Sequence, residues 1–114
     1  MKKWRFGINN DYLVDLVLSG KKRATTSLYN ENDIPVLNEE SELCFSDGNI
    51  ACITKTSRVV ITEFKNITWD LAKLEGENIS FDEWKKEHIE FFKSIDNNFS
   101  ENTKVVFEVF EVLK

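Results

Sequence analysis

The sequence predicts either an α+β fold or a small β-barrel decorated by helices. Short segments rich in apolar and β-branched residues recur along the chain and are separated by turn residues. Two longer segments instead place apolar residues at the spacing of an amphipathic helix. The final segment, "KVVFEVFEVL", alternates and can pair with an early strand, which would close the sheet. Strands therefore dominate, with helices at the edges.

The individual elements follow from periodicity and turn residues. The predicted strands are Lys3–Phe6, Arg23–Leu28, Glu42–Ser46, Asn49–Lys55, Ser57–Phe64 and Thr103–Leu113. The predicted helices are Asn9–Leu18, Thr68–Leu74 and Ser80–Ile95, and Tyr29–Glu40 is predicted to be a loop. Gly20 and Gly76 can end the first two helices in a left-handed conformation. Ser80 and Glu83 match a capping box at the start of the third helix.

Length and composition indicate one globular domain over residues 1–114. Nine Phe, three Trp and two Tyr can build a dense core, which argues against disorder. The net charge of −5 argues against broad binding to nucleic acid through many phosphate contacts, so we expect no DNA partner. A small basic pocket remains compatible with this charge. We expect a monomer or a weak homodimer.

The sequence predicts a cytoplasmic location. It has no apolar run near the roughly 18 residues of a membrane-spanning helix. The start, "MKKWRFGINN", lacks the apolar stretch of a signal peptide. Cys44 and Cys52 are therefore expected to be reduced. They flank the hairpin signal "SDGN" symmetrically, either as two small strand residues or, as an alternative, as a redox pair facing each other.

The stretch "SGKKRATTS", Ser19–Ser27, combines a glycine, three cations and three hydroxyls directly after a helix. Cations at a helix C-terminus are favourable by about 0.3–1 kcal/mol each, which explains one or two of them. The hydroxyls of Thr25, Thr26 and Ser27 have no such explanation, although threonine is ordinary in a strand. On a regular strand Thr25 and Ser27 share one face, and Thr26 lies on the other.

This stretch resembles the G-x-K-x-x-T signature of the ASCH domain family, a relative of the PUA domain, with Gly20, Lys22 and Thr25 at the signature positions. The segment "TWDLAKLEGENISFDEWKKEHIEFF" is similar to the family's second block, and "KVVFEVFEVL" is similar to its last strand. The resemblance covers nearly the whole chain. It implies a small β-barrel of the PUA type with flanking helices and a cleft.

The resemblance also implies a ligand and a chemistry. The family is associated with RNA binding, and one branch hydrolyses the amide of N4-acetylcytidine with a lysine, a threonine and a glutamate. Matched by position, these residues are Lys22, Thr25 and Glu75. Another branch has been linked to ribonuclease activity, but its catalytic set has no match here. We therefore expect a cleft for a nucleobase, nucleoside or RNA, with amide hydrolysis as the leading activity and a noncatalytic RNA-binding module as the alternative.

Amide hydrolysis assigns a role to each of the three residues. Thr25 would attack or position water, and Lys22 would be the base if nearby cations and burial favour its neutral form. Glu75, at the end of a short helix, is expected to have a slightly raised pKa and to exchange protons with the leaving amine or with water. Each residue also has a simpler explanation: Lys22 as a phosphate contact, Thr25 as a base contact, Glu75 as a solvated helix end.

Further residues are expected to surround the ligand. The predicted binding residues are Gly20, Lys21, Arg23, Ser27, Arg58, Trp84 and His88. His88 is the single histidine and shares an apolar face with Trp84, which favours a core residue with one satisfied nitrogen over a catalytic histidine. The resemblance implies a structural or cleft-wall role for both residues. One histidine and two cysteines are too few for a structural zinc site, and no nucleotide-phosphate motif is present. We therefore expect no metal and no cofactor.

Overall fold

The computed structural model describes residues 1–113 and contains one mixed sheet of five strands with three α-helices. The strands are β1 (Lys2–Trp4), β2 (Ala24–Leu28), β3 (Glu40–Cys44), β4 (Ile50–Glu63) and β5 (Lys104–Val112). The helices are α1 (Asn10–Leu18), α2 (Trp69–Ala72) and α3 (Phe81–Ile95). Short 3₁₀ turns span Phe64–Asn66 and Lys73–Glu75. No helix within residues 1–113 combines the length and apolar character that crossing a membrane requires.

The sheet does not close into the predicted barrel. Its strand order is β1-β3-β4-β5-β2, so β1 and β2 form the two edges and do not pair with each other. The final strand β5 does pair with the early strand β2, in antiparallel register. That pairing places β2 at an edge instead of shutting the sheet, because the other edge strand, β1, pairs in parallel with β3 alone. The α+β class is confirmed, and the closed barrel was wrong.

Strand β4 runs without a break through a point where the sequence predicted two strands. Its pairing with β5 shifts register between Thr56 and Arg58, which marks a bulge at Ser57. A bulge bends a strand and increases its twist without ending the ladder. The polar residues around Ser57 therefore mark a bend in one 14-residue strand. The hairpin between β3 and β4 turns at Asp47-Gly48 as predicted, with Gly48 at φ +93°.

The third helix begins at the predicted cap. The Oγ of Ser80 accepts a hydrogen bond from the backbone N–H of Glu83 at 3.2 Å. The reciprocal bond of a capping box is not made, because the Glu83 carboxylate accepts from the side-chain amide of Asn78 at 3.0 Å instead. One half of the predicted capping box is thus present, and it is sufficient to fix the start of α3.

Two apolar clusters cover opposite faces of the sheet. One cluster packs Trp84 and Phe92 of α3 against Phe107 of β5. The other packs Val14 and Val17 of α1 against the sheet. Side chains alternate along a strand, so neighbouring residues of β5 contribute to different clusters. The sheet is therefore covered by α3 on one face and by α1 on the other.

Helix α1 covers only part of its face. The residues beneath it are apolar: Leu43, Cys52 and Phe110. Farther along the same face the side chains are polar: Ser41, Thr56, Glu108, Thr25 and Ser27. All five of these polar residues line an open cleft. The short α1 thus leaves a polar floor on the sheet.

The two cysteines do not face each other. Cys52 lies opposite Leu43, whereas the register shift at the end of β3 places Cys44 opposite Ile50. Both thiols are free and buried, and burial raises the pKa of Cys52. The structure thus favours two small strand residues over a redox pair.

The two signature segments are held together through backbone contacts at Gly76. The N–H of Arg23 donates to the carbonyl oxygen of Leu74 at 2.9 Å. Gly76 has φ +75°, and a Cβ there would lie 2.0 Å from the carbonyl oxygen of Lys21. Gly20 also has a positive φ, +82°, but a Cβ there would meet nothing within 4 Å. Position 76 therefore requires glycine for two reasons: the backbone has a positive φ, and a Cβ would clash with the Lys21 carbonyl oxygen.

We predict that Gly76→Ala destabilises the protein much more than Gly20→Ala. Gly20→Ala incurs only the left-handed penalty, about 1 kcal/mol. Gly76→Ala adds a clash with the Lys21 carbonyl and should cost at least about 3 kcal/mol. Chemical denaturation of both variants measures the two costs, and equal costs would contradict the proposed close approach.

Candidate functional site

A buried ion pair joins the two signature segments. The Lys22 side chain is 1% exposed and lies in the turn between α1 and β2. Its Nζ lies 3.1 Å from Oε1 of Glu75 and 2.6 Å from Oε2 of Glu77. The third contact of the Nζ, with the carbonyl oxygen of Glu75, is long at 3.5 Å. The Lys22 side chain is therefore in ion-pair contact with two carboxylates.

Glu75 accepts hydrogen bonds on both of its oxygens. Oε1 receives Lys22 Nζ and lies 3.3 Å from His88 Nε2. Oε2 receives the hydroxyl of Thr26 at 2.6 Å and the indole N–H of Trp84 at 3.0 Å. Burial raises the pKa of Glu75, but the charge of Lys22 and these hydrogen bonds outweigh it and lower the pKa to about 2. Glu75 is therefore a fully engaged carboxylate.

His88 connects the ion pair to α3. Its Nδ1 lies 2.8 Å from the carbonyl oxygen of Trp84, and its ring stacks on the Trp84 indole with centroids 4.3 Å apart. Both ring nitrogens thus face oxygen acceptors. Burial lowers the pKa of His88, but the hydrogen bond and charge of Glu75 and the Trp84 carbonyl raise it above its ordinary value. The expectation of a core histidine with one satisfied nitrogen is too simple, because His88 also lines the cleft.

The ion pair lies beside a cleft of about 570 Å³. Ligand sites for small molecules typically have roughly 300–1,000 Å³. The polar face of the sheet forms its floor, and four residues with Trp or Phe side chains contribute to its lining: Trp4, Phe6, Phe91 and Phe92. Phe6 also approaches the Lys22 Nζ, which lies 5.3 Å from the ring centroid. The cleft has the size and the flat apolar surfaces that suit a heterocycle.

Carboxylates outnumber cations in this cleft. The acidic lining residues are Asp33, Glu39, Glu75, Glu77, Glu87, Glu90 and Glu108. The cationic lining residues are Lys2, Arg5 and Lys22. The charge of Lys22 is already shared with its two carboxylate partners, so the lining is negative overall.

The structure brings together part of the predicted site. Lys22, Thr25, Ser27, Glu75 and His88 all line the cleft. Trp84 lies beneath it, 1% exposed, and holds Glu75 instead of forming a wall.

Four predicted binding residues lie elsewhere. Gly20 forms the turn after α1, and Lys21, Arg23 and Arg58 are exposed side chains that do not line the cleft. Lys21 and Arg23 flank Lys22 in sequence, but their side chains are exposed whereas the Lys22 side chain is buried. The positive charge of "KKR" is thus divided between one buried and two solvated side chains.

The two threonines of β2 have different roles. Thr26 lies on the α3 face of β2 and donates to Glu75. Thr25 lies on the opposite face, beside Glu108 of β5, and opens to the cleft. The alternation of side chains along a strand was enough to predict that the two threonines lie on opposite faces. Nothing in the sequence identified Glu77. A glutamate in the middle of the apolar strand "KVVFEVFEVL" was an available signal for Glu108.

The geometry revises two of the expected roles. Lys22 was expected to act as a neutral base beside cations, but the charged groups in contact with it are the carboxylates of Glu75 and Glu77. The pKa of Glu75 was expected to be slightly raised, but it is lowered to about 2. The helix dipole influences the pKa of Glu75 less than the direct hydrogen bonds and the buried cation beside it do.

We predict that Glu75→Gln destabilises the protein by roughly 3 kcal/mol, the cost of breaking a buried ion pair from one side. The amide would present N–H groups to donors that need an acceptor. Glu83→Gln, an exposed carboxylate change on α3, is the matched control and should have little effect. Equal stability of the two variants in chemical denaturation would contradict the central role of Glu75.

We predict that stability depends on pH at both ends of the range. The lowered pKa of Glu75 contributes stability above its unfolded value of 4.5, which is lost as pH falls toward about 2. The raised pKa of His88 contributes stability below its unfolded value of 6.5, which is lost as pH rises through the folded pKa. Thermal unfolding should show both limbs, and His88→Gln should remove the alkaline one while keeping the acidic one.

Comparison with known proteins identifies the family. The family model described as the ASCH domain matches residues 2–114. No curated protein matches the chain. The crystal structure of an ASCH domain from Lactobacillus crispatus JV V101 is 27% identical with a TM-score of 0.87, covering 97% of this chain and 78% of that one. Protein EF3133 from Enterococcus faecalis V583 is also 27% identical, with a TM-score of 0.85 and coverage of 98% and 79%.

A more distant structure shares the fold alone. A variant of the ZmASCH protein from Zymomonas mobilis is 11% identical with a TM-score of 0.59, covering 96% of this chain and 66% of that one. The family match extends over almost every residue, and the two nearer structures superpose on the sheet and helices described above. The chain belongs to the ASCH domain family.

Proposed function

We propose that the cleft binds a nucleobase or nucleoside and hydrolyses the amide of an N4-acylated cytidine. One observation carries this proposal. Lys22 and Glu75 are in contact at 3.1 Å, although they are 53 residues apart, and both line the same cleft as Thr25. These are the three positions that the resemblance to the amidohydrolase branch assigns to catalysis.

The cleft favours a small neutral ligand over a nucleic acid strand. Its lining carboxylates would repel the phosphates of an RNA backbone, and RNA binding draws much of its affinity from Lys and Arg contacts with phosphate. A nucleoside lacks phosphate and can place its base against Trp4, Phe6 or Phe91. The cytoplasmic location and monomeric or weakly dimeric state expected from the sequence are compatible with such an enzyme.

Thr25 is the nucleophile in this proposal. Its Oγ1 attacks the acyl carbonyl carbon, the amide C–N bond breaks, and the amine of cytidine leaves with one added proton. The acyl group remains on Thr25 as an ester until water hydrolyses it to a carboxylic acid. Thr25 suits this role better than Thr26, whose hydroxyl is already donated to Glu75.

Lys22 stabilises the negative charge that develops on the acyl oxygen. An ammonium fixed in a buried position needs no rearrangement during the reaction, which is the basis of electrostatic catalysis. Two of its protons are directed to Glu75 and Glu77 at 3.1 and 2.6 Å. The third meets only a carbonyl oxygen at 3.5 Å and is the one available to a substrate. Glu75 holds the lysine in place and exchanges no proton.

We predict that the purified protein converts N4-acetylcytidine to cytidine and acetate, measured by chromatography. Thr25→Val should reduce kcat/KM by at least about 100-fold because it removes the nucleophile but keeps the side-chain shape. Thr25→Ser retains a hydroxyl and should keep a measurable part of the activity.

Two results would contradict the proposal. The first is no turnover by the wild-type protein, and the second is equal turnover by Thr25→Val. Binding of single-stranded RNA, measured by fluorescence anisotropy at several salt concentrations, tests the alternative function. Tight binding that weakens steeply with salt would favour an RNA-binding module.

A further inference from the structure

The proposed reaction needs a group that takes the proton of Thr25, and neither signature residue can supply it. The Nζ of Lys22 is already engaged in ion pairs with two carboxylates. Glu75 already accepts from donors on both oxygens and has a pKa of about 2, so it is a very weak base. The acceptor must be another group on the same face of the sheet as Thr25.

Glu108 lies directly across from Thr25. The two residues are Cα partners in the antiparallel pairing of β2 with β5. Side chains of such partners project from the same face, with Cβ atoms roughly 5 Å apart. Both residues line the cleft. A glutamate at this distance from a threonine is close enough to approach its hydroxyl without movement of the backbone.

Only one of the two oxygens of the Glu108 carboxylate accepts a side-chain hydrogen bond within residues 1–113. Its Oε2 accepts the hydroxyl of Thr56, on the adjacent strand β4, at 2.6 Å. Among residues 1–113, the side-chain hydrogen bonds include no second donor to this carboxylate, so Oε1 remains available. Thr56 thus holds one oxygen of a carboxylate that lines the cleft, and the other oxygen is free to accept a proton.

The surroundings of Glu108 also tune its basicity. Burial raises its pKa, the Thr56 hydrogen bond lowers it, and the nearby charges act in both directions. Lys2 of β1 lowers the pKa, whereas Glu39 and Asp33 of the loop before β3 raise it, and the net shift is upward. A carboxylate with a raised pKa accepts a proton more readily, which suits a general base.

We propose that Glu108 is the general base that activates Thr25. This inference rests on the proposed function. Oε1 of Glu108 takes the hydroxyl proton as Oγ1 bonds to the acyl carbon, and passes it to the amine nitrogen as the C–N bond breaks. In the second half, Glu108 takes a proton from water as the water oxygen bonds to the ester carbon. It returns that proton to Oγ1 as the acyl group leaves as a carboxylic acid.

The test is the kinetics of Glu108→Gln with N4-acetylcytidine. The amide keeps the shape and can still accept from Thr56, but it is not a base. We expect kcat/KM to fall by about 100-fold or more. Glu111→Gln, an exposed carboxylate change on the same strand, is the matched control and should retain wild-type activity. Thermal unfolding of both variants verifies that they are folded.

The pH profile gives a readout that a merely structural role would not move. Activity of the wild type should fall as pH drops through the pKa of Glu108, since the base must be ionised. Glu39→Gln removes a negative charge that raises this pKa, so the acidic limb should move to lower pH. Thr56→Val removes a hydrogen-bond donor that lowers the pKa of Glu108, so the acidic limb of the activity profile should move to higher pH.

The outcomes separate this inference from the proposed function. If the wild type hydrolyses the substrate and Glu108→Gln does so equally well, the proposed function stands and Glu108 is not the base. An acidic limb that stays fixed in Glu39→Gln and Thr56→Val also overturns the inference, and it does so even if Glu108→Gln fails to fold. If the wild type shows no turnover, both proposals fail.

Discussion

The buried ion pair between Lys22 and Glu75 is the constraint around which the site is built. Two charges removed from water carry a large desolvation penalty, which their attraction offsets only when the remaining donors and acceptors are satisfied. Thr26, Trp84 and His88 supply the remaining hydrogen-bond contacts to the Glu75 carboxylate. The pair therefore ties the turn after α1, the edge strand β2, the 3₁₀ turn and helix α3 to one point. Moving any of these elements would leave a buried charge or polar group unpaired.

The cleft is a consequence of how the helices cover the sheet. Helix α3 packs over β5 and β2 on one face, whereas the nine-residue α1 covers only the apolar part of the other. The uncovered part carries hydroxyls and a carboxylate, which can remain beside solvent without a cost. Because the sheet is open, the edge strand β2 is reached from both sides. Thr26 thus supports the ion pair while its neighbour Thr25 faces the ligand space.

This arrangement divides the chemistry among residues that the signature places together. Glu75 is a positioning residue in the proposed mechanism, since hydrogen-bond donors already occupy both of its oxygens and Lys22 is one of them. In the proposed mechanism, Lys22 supplies fixed positive charge and Thr25 supplies the reactive hydroxyl. Glu108, which has one carboxylate oxygen without a side-chain donor within residues 1–113, is paired with Thr25 on the neighbouring strand. The acidity of the lining further distinguishes this cleft from a surface that follows a phosphate backbone.

The sequence by itself determined the α+β class, the order of the elements, and the turns at Gly20, Gly48 and Gly76, because periodicity and left-handed turns are local properties. It also indicated that Lys22 and Glu75 belong to one site. Only the tertiary structure decided that the sheet stays open and that "KKR" buries a single cation. It also decided that Glu75 is a saturated carboxylate and that Glu108 meets Thr25. These features depend on which strands pair and on what surrounds each charge, and such long-range contacts leave no periodic trace in the chain.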